Sequence, residues 1–274
     1  MGELVWGAAV SHTAGMRRIQ EYDGETAGMQ HVIACWGELR ASLAAAEPDA
    51  LIVIGSDHFH SFSYDFMPVF AVGRGATFRS WGEFGSRQAQ TPGHGELADE
   101  LHSGLVRSGF DPAGVAEMRL DHGFACPLEF LDPRLELPVV PLAITSFIPP
   151  LPSMARCLAM GEALGQVIAA QQVAQRVAVV GTGGLSHWIG MPETGRVGEE
   201  FDRYFLELFE RADCDALGEL DDERMCADAG PGSGELRCWL AALGATGSHG
   251  ARRLAYLPSK GWITGVGLLE LALS

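Results

Sequence analysis

The chain of 274 residues alternates short apolar runs with longer amphipathic stretches. Three of the apolar runs are continuous, are flanked by Gly, Ser or Pro, and are followed directly by polar residues. This pattern predicts strands that are buried within a sheet. The three strands are predicted at residues 4–10, 50–55 and 177–181, and further strand candidates lie at residues 68–73, 138–144 and 262–273.

The amphipathic stretches between these runs repeat apolar residues at helical spacing. In residues 26–46, for example, Met29, Val32 and Trp36 recur on one helical face, and the pattern ends before Pro48. Further helices are predicted at residues 94–108, 154–170, 198–211 and 233–243.

Strands that alternate with helices predict an α/β layered fold with a central, largely buried sheet flanked by helices. The sequence has no internal repeat. Its best candidate for a break is the Pro-rich stretch 148–152, which is short enough to be a connecting loop. We therefore expect residues 1–274 to form one large domain rather than two smaller ones.

Charge and cysteine content exclude several classes of protein. The 19 Lys and Arg residues are outnumbered by 35 Asp and Glu residues, which gives a net charge of −16. A nucleic-acid or anionic membrane surface needs the opposite balance. The chain also lacks a long apolar span, a secretory signal pattern and any CxxC pair among its six cysteines. We therefore expect a cytoplasmic protein that contacts neither nucleic acid nor membrane.

Polar side chains collect where the predicted strands end, which is where open α/β sheets bind ligands. Histidines are prominent among them, and one acidic residue joins them late in the chain. The candidates are His12 in Ser11-His12-Thr13, Asp57, His58 and His60 after the second strand, His122 in LDHGF, His187 in GTGGLSH, and Glu235 at the start of a predicted helix.

Each of these clusters also has an ordinary structural interpretation. A strand-end His is commonly only a hydrogen-bonded residue, and Glu235 could serve only the helix dipole. His58 and His60 are two residues apart, so in extended backbone both could face one metal ion. The glycines before His187 match neither a dinucleotide fingerprint nor a Walker loop, which favours a role in letting the backbone approach a ligand closely.

Taken together, the candidates offer several strand-end histidines and one late carboxylate, Glu235. Two His and one Asp or Glu on one face of an iron ion form the facial triad of non-haem Fe(II) oxygenases. A structural zinc site would instead favour four closed ligands, usually with cysteines. Histidines that do not bind the metal remain available for proton transfer near neutral pH.

Five ordered motifs, spread over essentially the whole chain, make the sequence similar to a known family. They are SHTAGM (11–16), SDHFHSFSYDFMPVFAVG (56–73), LDHGFACPLEF (120–130), GTGGLSH (181–187) and GPGSGELRCWLAALGA (230–245). In these motifs the chain resembles the LigB-type (class III) extradiol ring-cleavage dioxygenases. Two of the stretches, 57–68 and 122–130, are more similar to the 2,3-dihydroxyphenylpropionate 1,2-dioxygenases of that family than to its protocatechuate 4,5-dioxygenase β subunits.

The resemblance implies a metal site and a reaction. Position by position, it makes His12, His58 and Glu235 the ligands of Fe(II). The implied reaction is the extradiol cleavage of a catechol-type ring by O2, which inserts both oxygen atoms and gives a hydroxymuconic semialdehyde-type product. The implied fold is the α/β LigB-like fold.

The resemblance also assigns roles to the remaining candidates. His187 matches the acid/base histidine of the family, and His122 matches a second active-site histidine that assists proton transfer or binds substrate and oxygen. His60 and Asp57 are then expected near the substrate pocket.

Several alternatives remain open. An ortho-aminophenol dioxygenase would use the same iron site, a zinc or manganese hydrolase could use the same ligands, and a metal-binding interaction protein could share the fold without catalysis. The expected partners are a small aromatic diol and O2. We expect a homo-oligomer, and a separate small accessory subunit is compatible with the family.

Overall fold

The computed structural model describes residues 1–13, 15–17 and 24–273; Ala14 of the first motif lies outside them. The strands are β1 (Glu3–Val10), β2 (Ala50–Gly55), β3 (Phe70–Gly73), β4 (Thr77–Ser80), β5 (Gln90–Pro92), β6 (Ala113–Val115), β7 (Arg119–Leu120), β8 (Val139–Ile144), β9 (Arg176–Thr182), β10 (Ala251–Ser259) and β11 (Thr264–Leu271). The α-helices are α1 (Thr26–Ala45), α2 (Gly95–Arg107), α3 (His122–Leu131), α4 (Met154–Ala170), α5 (Glu199–Glu210), α6 (Cys214–Gly218), α7 (Asp222–Ala229) and α8 (Leu236–Thr246). Short 3₁₀ helices span Glu83–Gly85 and Pro231–Glu235.

Within the described residues the strands form two sheets. The larger has eight strands in the order β10-β11-β1-β9-β2-β8-β3-β6, and the smaller has the order β5-β4-β7. In the larger sheet β1, β9, β2 and β8 are neighbours and run parallel. Their carboxyl ends therefore lie side by side at one edge of the sheet, which is the edge where such folds bind ligands.

Helices cover both faces of the large sheet. One face packs against α2, α4, α5 and α8, through residues such as Leu164, Phe205 and Leu240. The other face packs against α1 and α3, through Trp36 and Phe124 among others. Because both faces are covered, β2 and β8 are buried along their whole length, which explains their continuous apolar sequences. The predicted α/β fold with a buried central sheet is confirmed.

Most of the predicted elements agree with the observed ones to within a few residues. The helix predicted at 233–243 begins later, at Leu236, because residues Pro231–Glu235 form a separate 3₁₀ turn. The strands β6 and β10, the small sheet, α6 and α7 are elements that the sequence pattern did not predict. None of the helices in the described ranges is both long and apolar enough to cross a membrane.

Candidate metal centre

The parallel arrangement of β1, β9 and β2 brings three of the predicted histidines to one place. His12 follows β1, His58 follows β2, and His187 follows β9. Val10 at the end of β1 is paired with Thr182 at the end of β9. The three loops therefore leave the sheet at the same edge, as expected for polar residues placed directly after parallel strands.

Glu235 lies at the same edge of the sheet, although it precedes a helix instead of following a strand. It ends the 3₁₀ turn that precedes α8, and α8 packs closely against β9. Glycines permit this approach, because a Cβ at Gly181 would lie 2.4 Å from the carbonyl oxygen of Cys238 and a Cβ at Gly183 would lie 2.6 Å from Cβ of Glu235. The backbone N–H of Gly184 then donates to Oε2 of Glu235 at 2.7 Å. The GTGGLSH segment thus fixes the carboxylate in place.

Hydrogen bonding determines which nitrogen of His12 faces the site. The Thr182 hydroxyl donates to the carbonyl oxygen of Gly123 at 3.1 Å, so it can only accept from Nδ1 of His12, 2.8 Å away. With Nδ1 protonated, the lone pair of neutral His12 lies on Nε2. That atom lies 3.3 Å from Oε1 of Glu235.

His58 is oriented in the same way by a different partner. Its Nδ1 lies 3.1 Å from Oδ2 of Asp121, which also accepts a hydrogen bond from the His58 backbone N–H. A carboxylate can only accept, so Nδ1 carries the proton and Nε2 faces the site. Nε2 of His58 lies 3.1 Å from Oε1 of Glu235. Asp121 is fully buried and caps α3 through the N–H of Gly123, so the orienting group is itself held rigidly.

Three atoms that can bind a metal ion thus converge: Nε2 of His12, Nε2 of His58 and Oε1 of Glu235. Oε1 is buried and makes no well-aligned hydrogen bond with any of the described residues. A buried carboxylate oxygen without a donor is costly unless a cation compensates it. Two imidazoles and one carboxylate are the donor set that suits a divalent transition metal. The residues present therefore fit a metal ion.

The acid–base properties of the site follow from burial and from these contacts. Burial raises the pKa of Glu235, but His12 and His58 outweigh burial and hold that pKa well below its usual value. Burial lowers the pKa of His12. Burial also lowers the pKa of His58, but Asp121 and Glu235 together outweigh it and raise that pKa well above normal. Without a metal ion, Nε2 of His58 therefore also carries a proton, which a bound metal ion would replace. The two histidines differ because only His58 contacts a second carboxylate.

His187 and His122 lie beside the three converging atoms. Nδ1 of His187 donates to the carbonyl oxygen of Leu185 at 2.9 Å, and its Nε2 lies 3.9 Å from Oε2 of Glu235. The His122 ring centroid lies 4.0 Å from that of His58 and 5.4 Å from that of His12. Ring nitrogens of His12, His58 and His122 come within 4.8 Å of one another, so His122 is a competing third ligand.

The two predicted pocket residues have clear structural partners. The Asp57 carboxylate accepts hydrogen bonds from the backbone N–H groups of His60, Ser61 and Phe62, so it shapes the loop after β2. The His60 ring packs edge-on against Trp81, and its Nε2 lies 2.6 Å from Oε2 of a carboxylate, Glu83. Their role at a substrate pocket stays a prediction.

Three residues at the site were not assigned roles from the sequence: Thr182, Asp121 and Glu83. Asp121 stands beside His122 in the sequence, and Thr182 ends a predicted strand, so both had a positional signal. Glu83 had none, because it lies in a turn far from any predicted strand end. It accepts hydrogen bonds from both the backbone N–H and Nδ1 of His122, at 2.6 Å and 2.7 Å.

Comparison with known protein families identifies the family to which the chain belongs. The family described as the catalytic LigB subunit of aromatic ring-opening dioxygenase matches residues 7–267. The chain belongs to this family, and it is accordingly an aromatic ring-cleaving dioxygenase. The resemblance noted in the five motifs is confirmed over nearly the full length.

Individual relatives agree with the family. A 2,3-dihydroxyphenylpropionate/2,3-dihydroxicinnamic acid 1,2-dioxygenase from Burkholderia vietnamiensis is 32% identical over 278 residues, covering 84% of this chain and 86% of the relative. A protein of the same name from Klebsiella pneumoniae (strain 342) is 30% identical over 296 residues, covering 90% and 93%. The crystal structure of the uncharacterized protein JW3007 from Escherichia coli K12 has a TM-score of 0.66 at 19% identity, covers 97% of this chain and 99% of that one, and supports the fold alone.

Proposed function

We propose that the chain, as one catalytic domain over residues 1–274, is an Fe(II)-dependent extradiol dioxygenase. Its substrate is a catechol-type aromatic diol, and it adds both atoms of O2 to give a hydroxymuconic semialdehyde-type product. The observation that carries the proposal is the convergence of Nε2 of His12, Nε2 of His58 and Oε1 of Glu235 on one point, where the buried Oε1 makes no well-aligned hydrogen bond with any of the described residues.

In this proposal His12, His58 and Glu235 hold the metal. Thr182 and Asp121 keep the Nε2 lone pairs of the two histidines directed at it, which is the usual task of residues behind metal ligands. When bound, Fe(II) would bind both oxygens of the diol and supply the redox chemistry with O2. With only these three residues as protein ligands, the ion would remain open to the substrate diol and to O2.

His187 is proposed as the base that takes a proton from the diol. Burial lowers its pKa, so its ring is neutral near pH 7. Because Nδ1 donates to Leu185, the lone pair on Nε2 is directed toward Glu235 and toward anything bound beside it. A neutral imidazole within reach of a hydroxyl is the arrangement that general base catalysis needs.

His122 is proposed as the second proton-handling group rather than as a ligand. Its Nδ1 is engaged by Glu83, and its ring lies against His58. Nε2 remains to give or take a proton at the far side of the cluster. Glu235 is favoured over His122 as the third ligand because its Oε1 lies 3.3 Å and 3.1 Å from the two Nε2 atoms and makes no well-aligned hydrogen bond elsewhere among the described residues.

The alternatives are less well supported. Membership of a dioxygenase family argues against a non-catalytic interaction protein and against a zinc or manganese hydrolase. An ortho-aminophenol could occupy the same site, since an amine can replace one hydroxyl. The curated relatives are named for diols, which favours the diol.

Oxygen uptake by the reconstituted protein tests the function. Protein loaded with Fe(II) without air is mixed with catechol, 2,3-dihydroxyphenylpropionate or 2-aminophenol, and O2 consumption and the yellow product are recorded. We expect one O2 consumed per diol with Fe(II), and none with Zn(II). No uptake across the panel, with iron shown to be bound, would contradict the proposal.

The state of assembly and the location stay predictions. We expect a homo-oligomer, with or without a small accessory subunit, in the cytoplasm. Analytical ultracentrifugation of the purified chain measures the first of these directly, and a monomer at micromolar concentration would contradict it.

A further inference from the structure

Glu83 contacts two histidines that lie far apart in the sequence, His60 and His122. Its Oε1 accepts from Nδ1 and from the backbone N–H of His122, and its Oε2 lies 2.6 Å from Nε2 of His60. Nδ1 of His60 in turn lies 2.8 Å from the carbonyl oxygen of His58. One carboxylate thus joins the segment after β2 to the start of α3, beside the converging lone pairs.

The small sheet explains how Glu83 comes to this position. Strand β4 pairs with β7, so that Ser80 lies opposite Leu120, and the N–H of Trp81 bonds to the carbonyl oxygen of Leu120 at 2.9 Å. The chain leaving β4 is therefore held beside the chain that leaves β7 and enters α3 at His122. Glu83 lies three residues after Ser80, and His122 lies two residues after Leu120, so the two residues come into contact there.

The turn that presents Glu83 has an unusual backbone. Gly82 and Gly85 have φ of 74° and 91°, and Phe84 between them has φ of 50°, in the left-handed region that favours glycine. Phe84 is exposed, so its conformation is not imposed by packing of its side chain in a core. Its ring instead packs nearly perpendicular to the His122 ring, with centroids 5.7 Å apart. Uncommon backbone of this kind tends to persist where the surrounding structure holds it for function.

The hydrogen bonds determine what Glu83 does to His122. Burial raises the pKa of Glu83, but its bonds with His122 outweigh burial and lower that pKa, so the group is a carboxylate near pH 7. A carboxylate only accepts, so Nδ1 of His122 must carry the proton. Nε2 is then the ring nitrogen of His122 that remains free to give or take a proton beside the proposed metal ligands. Without Glu83, neither the tautomer nor the ring orientation of His122 would be set.

We propose that Glu83 is a positioning residue of the ring-cleavage reaction, which orients His122 and selects its tautomer so that Nε2 faces the substrate and O2. The inference rests on the proposed function. Glu83 touches neither the metal ligands' lone pairs nor, in this proposal, the substrate. It acts through His122, as a carboxylate behind a catalytic histidine does in other enzymes.

A double-mutant cycle tests this role. Glu83→Ala should lower kcat about 10- to 100-fold, as is typical when a group behind an active-site residue is removed, while KM and bound iron stay unchanged. Glu83→Gln, which keeps one hydrogen-bond acceptor, should lower kcat by less than Glu83→Ala does. In a His122→Gln background, Glu83→Ala should have no further effect, because the group through which it acts is already gone. Equal losses in both backgrounds, or a loss of iron, would overturn the proposal.

A control and a second readout separate this role from general damage. Asp132→Asn alters another loop carboxylate, which holds the backbone N–H groups of Glu136 and Leu137 at the opposite edge of the sheet, and should leave kcat unchanged. In metal-free protein, ¹⁵N–¹H correlation of the imidazoles should show His122 protonated at Nδ1, and a loss of that preference in Glu83→Ala. A wild-type His122 protonated at Nε2 would overturn the proposal even if no substrate were turned over, so this readout is independent of the proposed function.

Discussion

The Thr182 hydroxyl accepts a hydrogen bond from Nδ1 of His12, 2.8 Å away, and donates its own proton to the carbonyl oxygen of Gly123. Thr182, the last residue of β9, therefore orients the ring of His12, a proposed metal ligand that follows β1. The two strands are paired in parallel, so the contact follows from the sheet itself.

We therefore expect Thr182→Val to weaken Fe(II) binding by about 10- to 100-fold, the usual cost of removing a partner behind a metal-bound histidine. Thr182→Ser keeps the hydroxyl and should bind iron nearly as the wild type does. Anaerobic metal titration of the two variants measures the difference. Equal affinities would mean that the hydroxyl does not orient His12.

The identity of the third ligand gives a second prediction. Glu235→Gln removes the charge and puts a donor or a neutral acceptor where Oε1 meets the two Nε2 atoms, so most of the iron should be lost on desalting. His122→Gln should keep its iron. Iron content by absorption of a chelator complex measures both. The reverse result would make His12, His58 and His122 the ligand set, an arrangement that their ring nitrogens permit.

Close packing around His187 gives a third prediction. A Cβ at Gly232 would lie 2.1 Å from Nε2 of His187 and 2.2 Å from its Cδ2, so Gly232→Ala must displace the ring. We expect kcat to fall by about 100-fold or more, the range for loss of a general base, with iron and anaerobic diol binding retained. His187→Ala should behave in the same way.

Gly37→Ala is the matched control for this prediction. Gly37 lies within α1, and the nearest atom to an added Cβ is the end of the Arg40 side chain, 3.9 Å away. This substitution should leave kcat unchanged and stabilise the helix by about 0.5–1 kcal/mol. Normal turnover by Gly232→Ala, with iron bound, would show that the present position of the His187 ring is not required.

How much could be anticipated from the sequence depends on the range of the interaction. His12, His58 and His187 each lie in the polar segment that follows an apolar run, and parallel strands bring such segments together without any further information. Their convergence was therefore predictable from local pattern. Glu235 follows no strand, and only the likeness of residues 230–245 to a family motif distinguished it from a carboxylate at a helix start.

Contacts made through short or irregular elements could not be anticipated. Glu83 meets His122 only because β4 pairs with β7, and strands of four and two residues carry no recognisable alternation. The strand β10 was missed for a related reason. Its first residue is followed by Arg252 and Arg253, and it contains Pro258, which a strand tolerates when it lies at the edge of a sheet, as β10 does.

A buried carboxylate away from the metal ligands gives the last prediction. Asp202 in α5 is completely buried and accepts hydrogen bonds from the N–H and hydroxyl of Ser186 and from the hydroxyl of Tyr256. Burial raises the pKa of Asp202 to about 6, against the opposing effect of these bonds. In the unfolded chain an Asp titrates at pH ~4.

The sign of the effect on stability follows from proton counting. Between pH ~4 and ~6 the folded protein holds a proton on Asp202 that the unfolded chain has lost, so the free energy of unfolding falls as pH rises through this window. Asp202→Asn cannot titrate. Its free energy of unfolding relative to wild type should therefore rise between pH 4 and 7, by up to about 3 kcal/mol for a shift of this size.

Urea unfolding of both proteins in the presence of a chelator measures this difference, and all other titrating groups cancel because they are common to both. Tyr256→Phe provides a second arm. It removes one of the hydrogen bonds that oppose the raised pKa of Asp202, so the decline in stability should extend to higher pH than in wild type. A difference between Asp202→Asn and wild type that stays flat from pH 4 to 7 would show that Asp202 is ionised throughout, and that its hydrogen bonds outweigh its burial.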